Sequence, residues 1–95
     1  MKRVILQKSP KPGKKWRVIL EGKHVDFGAS GYQDYTIHKD KARMLRYLTR
    51  HRKTENWLIS GRFTAGFWSR WLLWSKPSLK QAKDFIRHKF RLDLS

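Results

Sequence analysis

Ninety-five residues make one small domain, with no room for a second core. Lys and Arg number 23 against 7 Asp plus Glu, a formal net charge of +16 with His neutral, about one excess positive charge per six residues. The absence of cysteine excludes disulfides, thiolate zinc sites and thiol nucleophiles, while 5 Trp, 5 Phe and 3 Tyr are more aromatic mass than a disordered tail carries.

Met1 to Gln7 holds three consecutive apolar residues, Val4-Ile5-Leu6, fewer than the roughly 7–15 of a secretory signal. This run predicts a strand, and Trp16-Arg17-Val18-Ile19-Leu20 predicts a second. Between them Lys8 to Lys15 carries two prolines and a glycine and reads as a turn or mobile basic loop. Glu21-Gly22 offers a tight reversal into Lys23 to Phe27, where Val25 and Phe27 alternate with His24 and Asp26. The expected result is a three-stranded antiparallel meander.

A Gly-punctuated connector, residues 28–35, follows, with Tyr32 and Tyr35 expected as an exposed aromatic pair. A helix should begin near Thr36 to His38 with Asp40 in its first turn, opposing the positive end of the dipole. Its period puts Met44, Leu45, Tyr47, Leu48 and His51 on an apolar side, and Lys39, Arg43, Arg46, Arg50 and Lys53 on a basic ridge. Residues 54–63 read as a loop with Trp57, Leu58 and Ile59 tucked inward. Thr64 should cap a second helix, apolar nearly all round and therefore central, which Lys76-Pro77 stops. Its apolar stretch, Phe63 to Trp74, contains Arg70 and is far short of the ~20 residues of a membrane span. Ser78-Leu79-Lys80-Gln81 is a capping-box sequence. The third helix should bury Leu79, Ala82, Phe85, Ile86 and Phe90, and show Lys80, Lys83, Arg87 and Arg91 on its other side.

The fold expected is α+β: one domain, a small meander followed by three helices around Trp57, Phe67, Trp71, Trp74, Phe85 and Ile86. Residues 1–26 would form the strand segment with its Lys/Pro loop, and residues 27–95 a helical basic module continuous with it. The chain reads as a soluble, intracellular-type protein.

Two helices with basic sides nearly free of interleaved acids point to a polyanion, because charges on a common surface can follow one phosphate backbone together. The competing explanation is a merely solvated surface. Candidate contacts are Lys39, Arg43, Arg46, Arg50 and Lys53, then Lys80, Lys83, Arg87 and Arg91, with Lys11, Lys14 and Lys15 as a flexible arm. The first partner expected is nucleic acid, double-stranded DNA foremost, bound without base specificity. Neutralising ~6–8 phosphates would give a log–log salt slope of about −5 to −7. The same lysines would equally suit an acidic protein surface. Enzyme chemistry has little to build on, since the seven acids are scattered and His38, Asp40 and His51 form the one local cluster. No catalytic residue, metal or cofactor is expected.

Three runs are distinctive: Phe27 to Asp40, Arg46-Tyr47-Leu48-Thr49-Arg50-His51, and Thr64 to Leu79. In this order and spacing the chain resembles a family of short basic proteins encoded by nucleocytoplasmic large DNA viruses, those of algae and amoebae included, over about residues 27 to 90. The resemblance implies a viral setting, with the virion, host cytoplasm or viral factory as location. It carries over no site residue. Two roles suit such a setting: coating the genome, or docking as a minor capsid component on acidic capsid or core proteins.

Overall fold

Apolar alternation in the first third sets the sheet. In the computed structural model, which describes residues 1–95, β1 (Lys2–Lys8), β2 (Lys14–Leu20) and β3 (Lys23–Ala29) form the expected antiparallel meander. Val18 pairs with Val25 and Trp16 with Phe27, so the centre of one face of the meander is apolar, with Lys8, Lys14 and Lys23 at its margins. The β2–β3 reversal uses two residues at positive φ, Glu21 (50°) and Gly22 (76°), the backbone of a type I′ hairpin whose twist matches the strands. Glu21 is not a glycine, and its side chain is held there by Lys2 at 2.9 Å and Arg62 at 2.7 Å.

The sheet has a fourth strand that the sequence pattern did not predict. β4 (Leu92–Leu94) runs parallel to β1, with Lys2 opposite Leu92 and Val4 opposite Leu94, giving the order β3-β2-β1-β4. The domain is therefore α+β with a mixed four-stranded sheet rather than a purely antiparallel three-stranded one. The expected division after residue 26 falls inside β3, whose Phe27 is fully buried.

The first predicted helix is two. α1 (Tyr35–His38) ends at Lys39, which adopts the left-handed conformation (φ 56°), and α2 (Lys41–His51) starts afresh. Asp40 is the N-cap of α2 rather than a first-turn acid, its carboxylate accepting from Ala42 N at 3.0 Å and Arg43 N at 3.3 Å. Thr64 caps α3 (Ala65–Trp68) as expected, but the helix then widens into a π-turn over Ser69–Leu73. That widening lets three consecutive residues, Trp71, Leu72 and Leu73, all bury. Ser78 caps α4 (Leu79–Phe90), accepting from Gln81 N at 3.1 Å.

The core lies between one face of the sheet and the α3–π segment with α4. Val4, Val18, Leu20, Phe27 and Leu92 meet Phe67, Trp68, Leu72, Leu73 and Ile86 there. Trp68 is the largest fully buried side chain, its indole N–H donating to Arg62 O at 2.7 Å. Of the expected core, Phe67, Trp71 and Ile86 are within it, whereas Trp57, Trp74 and Phe85 are half-buried against it. Leu58 and Ile59, expected inward, are exposed, because the turn at Ile59–Gly61 carries them outside. Leu45, assigned to the apolar side of α2, is exposed as well. No helix is long and apolar enough to cross a membrane.

Candidate nucleic-acid interface

Acids decide which cations are free. Of the 23 Lys and Arg, four enter ion pairs: Lys2 and Arg62 with Glu21, Arg17 with Asp26, and Lys15 with Asp34. Arg17 and Asp26 face each other across the β2–β3 ladder at 2.9 Å, with Ser9 Oγ donating to the same carboxylate at 2.6 Å. The Arg17 guanidinium and the Ser9 hydroxyl hold the Asp26 carboxyl down at about 2. Arg62 and Lys2 do the same for Glu21, also to about 2. With Glu55 against His51 at 3.4 Å and Asp40 engaged in the α2 cap, little unpartnered negative charge remains near the α2 ridge.

Arg43, Arg46 and Arg50 are all exposed and make no ion pair. Together with Tyr32, Gln33 and Trp74 they line one groove of about 320 Å³ that contains no acid. α2 is seated by Met44 and Tyr47, and Tyr47 stacks flat on Trp74, so the ridge is registered against the π segment. Burial pushes the Tyr47 hydroxyl pKa well up, so the ring is neutral at physiological pH. Tyr32, Gln33 and Trp74 also border a second cleft of about 370 Å³, whose rim includes Lys14 and whose walls include Tyr47, His51 and Glu55.

The other sequence-derived candidates are dispersed. Lys15 is taken by Asp34, which is 3 % exposed and caps α1 through Thr36 N at 2.9 Å, so Lys15 leaves the mobile arm. Lys14 and Lys15 belong to strand β2, and Lys11 alone of the arm stands exposed in the β1–β2 turn. Lys39 folds back to donate to the Pro77 carbonyl, which ties the α1–α2 junction to the chain before α4 and removes it from the ridge. Lys53 lies in the turn after α2. Lys80 and Arg87 are exposed on α4 and Lys83 is half-buried. Arg91 is the left-handed C-cap of α4 (φ 59°), off the helical face, because the chain must reverse there into β4. No hydrogen bond, ion pair or cleft contains residues of both ridges.

Tyr32 is exposed as expected, but Tyr35, the first residue of α1, is buried. The groove members that the charge pattern missed are Gln33 and Trp74. Gln33 carries no charge, and Trp74 reads as core from its helical spacing. The His38, Asp40, His51 cluster does not converge. His38 Nδ1 accepts from Asp40 N at 2.9 Å, and His51 stacks on Tyr47 at 4.3 Å. Desolvation lowers the pKa of His38 and keeps the ring neutral. No three His, Asp or Glu side chains come together as a metal site.

The fold and site define a small basic α+β domain with an acid-free arginine groove lined also by the exposed Tyr32 and the half-buried Trp74. Residues 4–51, from β1 to the end of α2, match the model of a family of unknown function, DUF5754, and the chain belongs to that family. No curated protein and no solved structure matches it.

Proposed function

We propose that this protein binds nucleic acid, DNA foremost, through phosphate contacts made by α2. One observation carries the reading: Arg43, Arg46 and Arg50 line a single groove, and none has a carboxylate partner. Guanidinium groups held on one helix and left unneutralised suit a phosphate backbone. Lys14, on the rim of the adjoining cleft, extends the set to about four contacts, which predicts a log–log salt slope of about −3 to −4 on duplex DNA. That is shallower than two cooperating ridges would give. The role is genome-associated, and the sequence resemblance to proteins of large DNA viruses supports a virion or viral-factory setting.

The test is anisotropy titration of a labelled duplex of about 20 base pairs across roughly 50–300 mM salt, with Arg43, Arg46 and Arg50 all changed to Glu as comparison. Strong binding with that slope, abolished by the charge reversal, is expected. Binding that survives the reversal would overturn the reading.

A second reading, docking on an acidic capsid or core protein, is favoured by a different surface. Leu58, 72 % exposed, and Ile59 form an apolar patch with Phe90, and Lys89 and Arg91 stand beside it. It predicts stoichiometric binding to such a partner that is weakened by Leu58→Ser and untouched by the α2 reversal.

A further inference from the structure

The groove on α2 holds more than charge. Tyr32 stands just after β3, where Gly28 (φ 79°) at the strand's end and Gly31 (φ 83°) take left-handed conformations, and a hydrogen bond from Tyr32 N to Ala29 O at 3.4 Å closes the turn. The side chain is 74 % exposed, the most of any large apolar or aromatic residue in the chain. The opposite wall carries Arg43, Arg46 and Arg50, and Trp74 and the exposed amide of Gln33 complete the lining. Trp74 is fixed by its parallel stack on Tyr47, with ring centroids 4.3 Å apart, so the groove combines a fixed indole and an exposed phenol ring with three guanidinium groups.

We propose that this groove takes an unpaired nucleotide of a single-stranded nucleic acid, its base stacked on Tyr32 and its flanking phosphates on Arg43, Arg46 and Arg50. The proposal rests on the nucleic-acid reading above and adds which form of the polymer the site prefers. Size fits, because about 320 Å³ is at the small end of ligand clefts and suits one nucleotide rather than a helix. Spacing fits too. The α-helical rise places Arg43 and Arg50 ~10 Å apart along the axis, room for about two successive phosphates of an extended strand. A duplex keeps its bases inside the stack, where Tyr32 has no π-face to meet, whereas an unpaired base offers one regardless of sequence. The Gln33 amide, both donor and acceptor, stands where a base edge would lie.

The experiment compares wild type, Tyr32→Ala and Tyr32→Trp by anisotropy, at one salt concentration. The probes are a single-stranded DNA 12-mer, the RNA of the same sequence, an abasic strand of equal length and the matching duplex. Tyr32→Ala should weaken binding to the base-bearing single strands about tenfold or more, with Tyr32→Trp restoring it. Duplex and abasic-strand affinities should move less than about twofold. The DNA and RNA arms show which strand the site favours. Since Tyr32 packs into no core, circular dichroism and thermal midpoints of the variants should match wild type. Equal losses on all four probes, or no loss on any, would overturn the proposal while leaving the phosphate-binding reading in place. Failure of that broader reading looks different: all probes would then bind as well to the Arg43/Arg46/Arg50 charge-reversal variant.

Discussion

Tyr47 and Trp74 lie face to face, 4.3 Å between centroids and 2° from parallel, and this stack joins α2 to the π segment. His51 covers the other side of Tyr47 at 4.3 Å, one helical turn on. Only Met44 and Tyr47 of α2 are buried, so the helix that carries the arginine ridge is held largely through this ring.

Tyr47→Ala should therefore cost about 3–5 kcal/mol in denaturant unfolding, the range for truncating buried aromatics. Tyr47→Phe keeps the stack and should cost under about 1 kcal/mol. Trp fluorescence of the alanine variant should shift to the red as Trp74 meets water.

Removing the three α2 arginines should flatten the salt dependence of duplex binding by about 2–3 units of slope. Changing Lys80, Lys83 and Arg87 to Ala should alter it by less than about one unit, since no cleft joins α4 to the groove. Equal effects from the two sets would show that both ridges contact one strand.

Asp34 and Lys15 form a pair at 2.8 Å with side-chain exposures of 5 % and 17 %. Asp34→Ala loses the α1 cap and strands a lysine in a poorly solvated site, which should cost about 2–4 kcal/mol by urea titration. Asp84→Ala, at an exposed carboxylate without an ion-pair partner, should stay within about 0.5 kcal/mol.

Acid should destabilise this protein in two stages. His38 has a lowered pKa because burial disfavours its charged form, so the unfolded chain takes up that proton first. Stability then falls as pH drops below about 6.5. Glu21 and Asp26 are held at about 2, so their contribution is present above their ordinary range and is lost as pH falls from about 4.5 towards 2. Melting midpoints measured from pH 8 to 2 should decline in both windows, and His38→Gln should remove the first decline alone.

Gly61 lies against the backbone carbonyl of Asn56, and a Cβ there would overlap that oxygen. Gly61→Ala should cost about 1–3 kcal/mol in thermal or urea unfolding, because the obstructing atom is main chain and cannot rotate aside.

The local signals in the sequence were legible where each acts within a few residues. Alternation at Val25 and Phe27, the Glu21-Gly22 reversal, and the Thr64 and Ser78 caps all appear where their chemistry places them. β4 escaped notice because three residues cannot display a period, and its partner strand is at the far end of the chain. The break at Lys39 escaped because a basic residue in left-handed conformation looks, on a helical wheel, like one more member of a ridge. Charge pattern located the arginines of the groove but not its aromatic wall. Tyr32 comes to the ridge only through the fold, and Trp74 has the spacing of a core residue.

The parallel pairing of β1 with β4 also has a kinetic side. Val4 O accepts from Ser95 N at 3.0 Å, and Leu6 N donates to Ser95 O at 2.9 Å. β1 thus meets this neighbour only after about ninety further residues have been made. Until then the outer edge of β1 is an open ladder of donors and acceptors, the kind that pairs readily with another nascent chain. Closing so long a loop is slow, and the docking of β4 is therefore the step expected to set the folding rate.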